Sequence, residues 1–235
     1  MQKRLVRKLD LERLLAKAKP HPSPSTTLEQ YITPTDVAAT MLHIAAYTNN
    51  DVVGKTVLDL GCGSGRLSLG AAFLGARYVV GLDLDKASVR MALETSKQTR
   101  LRRKTRWIIA DIDVVCGRFD TVLQNPPFGV HKRNADRRFL EKALEVGTTV
   151  YSLHKSTHDT EALRTQLAHS QSGVVSVSSS PFLARFIESH GGMVRAVYAM
   201  LMTIPHMFDF HTERRHRFVV DLYVIRGKMN PNELC

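Results

Sequence analysis

Hydrophobic residues after Gly54 alternate between two patterns, which predict strands and helices in turn. Short continuous apolar runs, such as TVLDLG at 56–61, are typical of strands buried on both faces of a sheet. The predicted strands cover residues 56–61, 78–84, 105–111, 119–124 and 148–154. The predicted helices cover residues 66–74, 86–97, 136–146, 159–169 and 182–189. This alternation predicts a parallel sheet with helices on both faces.

The C-terminal part of the chain departs from this alternation. Two β-rich runs, 193–204 and 216–226, have no helical pattern between them and predict an antiparallel hairpin that closes the sheet. The stretch SQSGVVSVSSSP at about 170–181 is rich in serine and predicts a surface insertion. The expected fold is α/β: a Rossmann-like, mainly parallel sheet of seven strands with an antiparallel closing hairpin.

The N-terminal residues form a segment of different composition. Residues 2–18 carry five leucines among six lysines and arginines, a pattern typical of a basic amphipathic helix. HPSPSTT at 21–27 has the composition of a linker, and a second helix is predicted from Pro34. We therefore divide the chain into a helix and linker at 1–27 and a main domain at 28–235.

Composition and charge narrow the class of protein. The 235 residues are 43% hydrophobic, which suffices for one well-packed domain, and no apolar run is long enough for a membrane span. The N-terminus lacks the apolar stretch of a secretory signal, and three scattered cysteines predict reduced thiols, with neither a disulfide framework nor a metal site. A net charge of +11 favours a polyanionic partner such as nucleic acid, although a merely basic surface remains an alternative.

A glycine-rich turn with an acid downstream predicts a nucleoside site. In DLGCGSGR, Gly61, Gly63 and Gly65 follow a predicted strand and let a ligand approach the backbone. Arginine at position 66 replaces the third glycine of the dinucleotide fingerprint, which argues for a ligand without phosphates. Asp83 ends the next strand, where a carboxylate can bind ribose hydroxyls, and Asp111 ends the third and could meet an adenine amino group.

The segment Asn-Pro-Pro-Phe follows the fourth predicted strand. It is therefore expected beside the glycine turn, on the rim formed by the carboxyl ends of the parallel strands. The oxygen of Asn125 and the carbonyl of Pro126 can each accept one N–H of a planar amine and orient its lone pair. Pro126 and Pro127 hold φ near about −65°, and Phe128 offers a face on which an extruded base can stack. A proline turn that caps a strand, with Phe128 in the core, is the structural alternative.

These motifs resemble those of class I S-adenosylmethionine-dependent methyltransferases, and Asn-Pro-Pro-Phe resembles motif IV of those that methylate adenine N6, guanine N2 or a glutamine amide. LEQYITP at 28–34, YSLHKS at 151–156 and FDFHTERRHRFVVDL at 208–222 add a resemblance to the small-subunit ribosomal RNA adenine-N6 methyltransferases of the methyltransferase-like five family. It implies S-adenosyl-L-methionine as cofactor. The implied cofactor contacts are Gln30, Thr33, Asp59, Gly61, Gly63, Ser64, Asp83, Leu84, Asp111, Ile112 and Asn125, and the implied catalytic residues are Asn125, Pro126, Pro127 and Phe128.

The resemblance also implies partners. The expected substrate is small-subunit ribosomal RNA, with no membrane partner and a location in the nucleus, nucleolus and cytoplasm. Basic residues beside the motif are predicted to bind RNA: Lys132, Arg133, Arg137, Arg138 and Lys155. Another basic stretch, KQTRLRRKTR at 97–106, could add phosphate contacts. A small zinc-binding activator subunit is expected to form a heterodimer through the edge strand near Trp107, Ile108 and Ile109.

Two other functions remain open. A protein glutamine-N5 methyltransferase shares Asn-Pro-Pro, but the basic surface of this chain disfavours a protein substrate. A non-catalytic RNA-binding scaffold on the same fold would not need Asn125, Phe128 and Asp83 to be intact.

Overall fold

The computed structural model describes residues 5–25, 32–128, 135–205 and 215–228, and these build one sheet of eight strands. The strands are Thr56–Leu60 (β1), Tyr78–Asp83 (β2), Thr105–Ile109 (β3), Phe119–Gln124 (β4), Gly147–Lys155 (β5), Val175–Ser176 (β6), Met193–Pro205 (β7) and Arg215–Arg226 (β8). The first five are parallel to one another, and β8 runs antiparallel to both β5 and β7. The predicted α/β fold and its antiparallel hairpin are confirmed.

Seven α-helices lie within the described ranges. They are Lys8–Leu15 (α1), Thr35–His43 (α2), Arg66–Leu74 (α3), Lys86–Gln98 (α4), Ala135–Val146 (α5), Glu161–His169 (α6) and Pro181–Ser189 (α7). A π-helical turn, Ile44–Thr48, continues α2, and a 3₁₀ turn, Ile112–Val114, follows β3. Among these residues no helix has both the length and the apolar character that crossing a membrane requires.

Both faces of the central strands are buried, which explains their continuous apolar runs. Successive side chains of a strand point to opposite faces. Val57 therefore packs in a cluster with α1, α2 and α3, whereas Leu58 and Leu60 pack in a second cluster with α5 and α7.

The strand order is β3-β2-β1-β4-β5-β8-β7-β6. The chain moves outward from β1 to β3 and then returns to place β4 on the other side of β1. In open α/β sheets ligands bind beyond the carboxyl ends of the strands, at the point where the order reverses. The glycine turn after β1 and the Asn-Pro-Pro-Phe segment after β4 meet at this point.

The serine-rich segment contributes a strand that the sequence pattern did not predict. Within residues 170–181, β6 pairs antiparallel with β7, with Val175 opposite Ala199. Because β6 has only two residues, it is too short to show the alternating pattern that predicts a strand. The connection between β7 and β8 includes residues 206–214, which lie outside the described residues.

The N-terminal helix is shorter than the predicted 2–18 and uses fewer of its leucines. Leu11 and Leu15 are fully buried and pack in the cluster formed with α2 and α3. Leu5 precedes α1 and is 67% exposed, and Leu9 is 53% exposed because it lies about 200° around the helix from Leu11. Leu5 and Leu9 therefore do not contribute to the buried face of α1.

Candidate active site

The glycine turn joins β1 to α3 through left-handed backbone. Gly65 caps the amino end of α3 with φ of 82°, and a Cβ there would lie 2.5 Å from the Trp107 ring. Gly63 has φ of 50°, and a Cβ there would meet nothing within 4 Å. Gly65 is thus required by packing, whereas Gly63 borders the open side of the turn. Ser64, between them, is 7% exposed.

Asp83 lies at the end of β2 and is bonded to this turn. Its Oδ2 accepts from the backbone N–H of Gly63 at 2.8 Å, and its Oδ1 accepts from that of Asp85 at 2.9 Å. Burial raises the pKa of Asp83, and the two backbone hydrogen bonds oppose that shift. Leu84 follows with 57% of its surface exposed. The predicted ribose acid and the predicted turn are therefore one hydrogen-bonded unit.

Asp59 lies behind the turn with 1% of its surface exposed. Its Oδ2 accepts hydrogen bonds from the backbone N–H of Ser68 at 2.8 Å and from the Ser68 hydroxyl at 2.6 Å, which holds β1 against α3. Burial raises the pKa of Asp59 to about 7. Direct contact of Asp59 with the cofactor stays a prediction, and Ser68 is a supporting residue that the sequence analysis missed.

Asp111 follows β3 and is paired with one of the predicted RNA-binding residues. Its Oδ1 accepts from Arg138 Nη2 at 2.5 Å, and the same nitrogen lies 2.5 Å from Asp113 Oδ2. This arginine lowers the pKa of Asp113. Ile112, 5% exposed, packs in the cluster with α5. The structure thus joins Arg138 to the predicted adenine acid, a contact that the basic composition of the loop does not reveal.

The other predicted RNA-binding residues occupy different surroundings. The Arg137 guanidinium carbon lies 4.4 Å from the centre of the Phe182 ring, a cation–π contact between α5 and α7. Lys155 is exposed at the end of β5. Lys132, Arg133 and the predicted cofactor residue Gln30 lie outside the described residues.

Asn125 is held by a residue that precedes it by 92 positions. Its Nδ2 donates to the Thr33 hydroxyl at 3.0 Å. Its Oδ1 is buried and, among the described residues, has no hydrogen-bond partner. Buried acceptors are nearly always bonded in native proteins, so this oxygen marks a place for a donor that does not come from the described residues.

The prolines and the aromatic ring of this segment are packed against the protein. Pro126 is buried and Pro127 is half-buried. Phe128 is half-buried on the cluster beneath α1 to α3, with its ring edge-on to Phe218 at 5.9 Å between centres. The ring therefore packs on the core, as the structural alternative expected, and its role as a stacking face for a base stays a prediction.

A buried polar chain lies on the other face of the sheet beneath the rim. Gln124 Nε2 donates to the Ser152 hydroxyl at 2.9 Å, and that hydroxyl lies 2.8 Å from His154 Nε2. His154 is 3% exposed, and burial lowers its pKa to about 4. This neutral histidine is a structural hydrogen-bond partner.

We expect His154 to make the free energy of unfolding rise with pH between about 4 and 6.5. In that window the unfolded chain binds a proton that the folded chain excludes, so acid favours unfolding. The shift corresponds to about 3 kcal/mol across the window. Urea unfolding from pH 4.5 to 7 should show a shallower pH dependence for His154→Gln than for the parent. His169→Gln, at an exposed histidine, is the control, and equal slopes for parent and His154→Gln would contradict the prediction.

The chain is similar to known methyltransferases. Residues 36–126 match the family model of the ribosomal protein L11 methyltransferase (PrmA). The chain is 38% identical over 164 residues to the rRNA N(6)-adenosine-methyltransferase METTL5 of Danio rerio, covering 64% of this chain and 75% of that protein. It is 42% identical over 141 residues to Mettl5 of Drosophila melanogaster, covering 57% and 66%.

A solved structure extends the match to nearly the whole chain. The PH1948 protein of Pyrococcus horikoshii, a candidate RNA methyltransferase, is 34% identical and superposes with a TM-score of 0.78, covering 96% of this chain and 100% of that one. The chain therefore belongs to the METTL5 family of class I S-adenosylmethionine-dependent methyltransferases.

Proposed function

We propose that the protein transfers a methyl group from S-adenosylmethionine to N6 of an adenosine in small-subunit ribosomal RNA. The observation that carries this proposal is the buried Oδ1 of Asn125 at the strand rim, which has no hydrogen-bond partner in the part of the chain that the structure describes. An exocyclic amine supplies the N–H donor that this oxygen lacks. The names of the METTL5 relatives, which act on adenosine N6 of rRNA, support adenosine as the bearer of that amine.

The residues around the glycine turn fit the cofactor. Each oxygen of Asp83 accepts one backbone N–H and keeps a lone pair for a ribose hydroxyl. The open side of Gly63 leaves room for a ligand against the backbone, and the exposed Leu84 offers apolar surface to a base. When bound, S-adenosylmethionine supplies a methyl group on a positively charged sulfur.

The chain's own contribution is to orient the amine. Asn125 Oδ1 accepts one N–H and the Pro126 carbonyl accepts the other, so the nitrogen lone pair is turned away from the base ring. The fixed φ of the prolines restrains the backbone that carries the Pro126 carbonyl, and the Thr33 hydroxyl bonds the Asn125 amide. They also stabilise the positive charge that develops on nitrogen, and Phe128 supplies the aromatic face for the base.

The experiment is methylation with isotopically labelled S-adenosylmethionine, followed by nucleoside and amino-acid analysis. Separate reactions contain small-subunit rRNA, large-subunit rRNA and ribosomal protein. We expect N6-methyladenosine in the small-subunit reaction. Label on protein glutamine would support the glutamine-N5 alternative, label on the large subunit would overturn the small-subunit assignment, and no label in any reaction would favour a scaffold.

We further propose that a small zinc-binding activator subunit pairs with β3. This strand is one edge of the sheet, and Ile108 and Ile109 are 42% and 49% exposed. Such an edge invites strand addition. Trp107 has a different role, since it packs against Gly65 and Gly81 and donates to Ser96. The chain alone should be poorly soluble, and good expression as a stable monomer would count against this partner.

The basic stretch before β3 lies at the amino ends of the parallel strands, whereas the site lies at their carboxyl ends. Five exposed cations without a carboxylate partner among the described residues lie before or at the start of β3: Arg100, Arg102, Arg103, Lys104 and Arg106. Because β3 spans roughly 16 Å, these residues are too far away to touch the target base. We propose that they bind phosphates of flanking RNA.

Arg103→Gln/Lys104→Gln should weaken RNA binding and leave kcat at saturating RNA unchanged. Each lost phosphate contact should reduce the slope of log affinity against log salt by about 0.7–0.9. Filter binding at several salt concentrations measures the slope. Arg185→Gln/Arg195→Gln removes equal charge from α7 and β7 and serves as the control. A slope equal to that of the parent would exclude this surface from RNA binding.

A further inference from the structure

Arg66, the residue that replaces the third fingerprint glycine, is buried and donates to three backbone carbonyls. Its Nε bonds the Leu15 carbonyl at 3.2 Å, Nη2 bonds that of Ala18 at 2.7 Å, and Nη1 bonds that of Thr33 at 2.5 Å. Arg66 is also the first residue of α3, directly after the glycine turn. One side chain therefore ties the end of α1 and the approach to α2 to the start of the helix beside the predicted cofactor site.

Thr33 carries this connection onward to Asn125. Its carbonyl is held by Arg66, and its hydroxyl accepts the Asn125 Nδ2–H. Thr33 is 6% exposed, so water does not readily replace it as a partner. Arg66 thus contacts Thr33 through a backbone carbonyl, and Thr33 contacts the side-chain amide of Asn125 through its hydroxyl.

This contact determines which atom Asn125 presents. An amide carries its donor and its acceptor on two different atoms, so the atom that bonds the Thr33 hydroxyl decides which atom is left for a ligand. Only the observed orientation, with Nδ2 on Thr33, leaves Oδ1 as the acceptor for an incoming amine. Without the hydroxyl, Nδ2 would be a buried donor with no partner, and the amide would turn to find one.

We infer that Thr33 and Arg66 are positioning residues for methyl transfer: Arg66 clasps the Thr33 backbone, and the Thr33 hydroxyl holds the Asn125 amide with its oxygen toward the substrate. This inference rests on the proposed function, in which Asn125 accepts the target amine. It differs from the role that the family resemblance implies for Thr33, which is contact with the cofactor. Loss of a positioning role lowers kcat, whereas loss of a cofactor contact raises the Kd for S-adenosylmethionine.

The test compares Thr33→Val, which keeps the shape and removes the hydroxyl, with Thr33→Ser, which keeps the hydroxyl. At saturating RNA and S-adenosylmethionine, Thr33→Val should lower kcat by about 10- to 100-fold, the rate equivalent of one unsatisfied buried polar group. The Kd for S-adenosylmethionine, measured by titration calorimetry, should stay within about 2-fold of the parent because no cofactor contact is removed. Thr33→Ser should recover most of the rate.

Two further variants separate positioning from general destabilisation. Thr40→Val removes another buried hydroxyl, which bonds only the Asp36 carbonyl within α2, and should leave kcat unchanged. Arg66→Lys keeps the charge but cannot reach three carbonyls with one ammonium, so it should lower kcat in the same direction as Thr33→Val.

The outcomes are distinct. Full kcat in Thr33→Val, or a raised Kd for S-adenosylmethionine with unchanged kcat, overturns the inference, the latter in favour of a cofactor role. If Asn125→Ala is inactive while Thr33→Val is fully active, the inference fails and the proposed function stands. If Asn125→Ala keeps the full kcat, both the role of Asn125 and this inference fail, whereas the proposed function fails only if the labelling experiment gives no N6-methyladenosine in small-subunit rRNA.

Discussion

Asn125→Ala is expected to lower kcat for methyl transfer by about 10²- to 10³-fold, the usual cost of losing one preorganised hydrogen-bonding group that stabilises developing charge. The buried Oδ1 has no partner among the described residues and can accept from an incoming amine, and alanine removes this acceptor. The target amine would keep its lone pair delocalised in the base ring and would attack poorly. Single-turnover methylation at saturating RNA and cofactor measures this effect directly.

Asn49→Ala is the matched control for this variant. Asn49 also donates through its side-chain amide, to the Tyr151 hydroxyl at 2.8 Å, but it lies outside the rim that carries the site. Its loss should reduce the free energy of unfolding and leave kcat unchanged. Full methyl transfer by Asn125→Ala would show that the two-acceptor arrangement is not used.

Gly65→Ala is expected to reduce the free energy of unfolding by about 2–5 kcal/mol. The residue has φ of 82°, which strains any L-residue with a Cβ. The added Cβ would also lie 2.5 Å from Trp107 Cη2 and 2.8 Å from Ala92 Cβ. These neighbours come from β3 and α4, and relieving the contacts would shift both elements. Urea unfolding monitored by circular dichroism gives the change.

Two glycines separate backbone strain from crowding and from ligand approach. Gly117 has φ of 87° and nothing within 4 Å of a Cβ, so Gly117→Ala should cost only about 1–2 kcal/mol. Gly63→Ala has equally open space and should show a similar loss of stability, but it should weaken S-adenosylmethionine binding because its open side belongs to the predicted cofactor site. Equal destabilisation by Gly65→Ala and Gly117→Ala would show that crowding at Gly65 is relieved without cost.

Local patterns predicted the elements that build the rim. Within residues 56–74, an apolar run predicts strand β1 and closely spaced glycines predict the turn. A change to the helical period then predicts α3. Asp83 could be assigned to the same rim because parallel strands end at a common edge, and Asn125 for the same reason. Each of these inferences depends only on a local sequence pattern and on the rule that parallel strands of one sheet end at a common edge.

Side-chain partners were decided by the tertiary structure alone. Thr33 and Asn125 are 92 positions apart, and Arg138 bonds Asp111 across 27 positions. Residue type does not reveal such pairs. An arginine that faces solvent and an arginine in an ion pair cannot be distinguished from the sequence, because the partner lies far away in the chain. The same holds for Trp107, which the edge strand turns inward against two glycines.

The sequence by itself determined the α/β fold, the order of its elements and the rim on which the chemistry lies, because periodicity, turn residues and the shared edge of parallel strands are local or topological properties. Only the tertiary structure decided that Asn125 presents an oxygen with no partner among the described residues, that Thr33 bonds the nitrogen of the same amide, and that the basic stretch lies at the amino end of β3. Those features depend on distances between residues far apart in the chain, which packing of the sheet and helices alone sets.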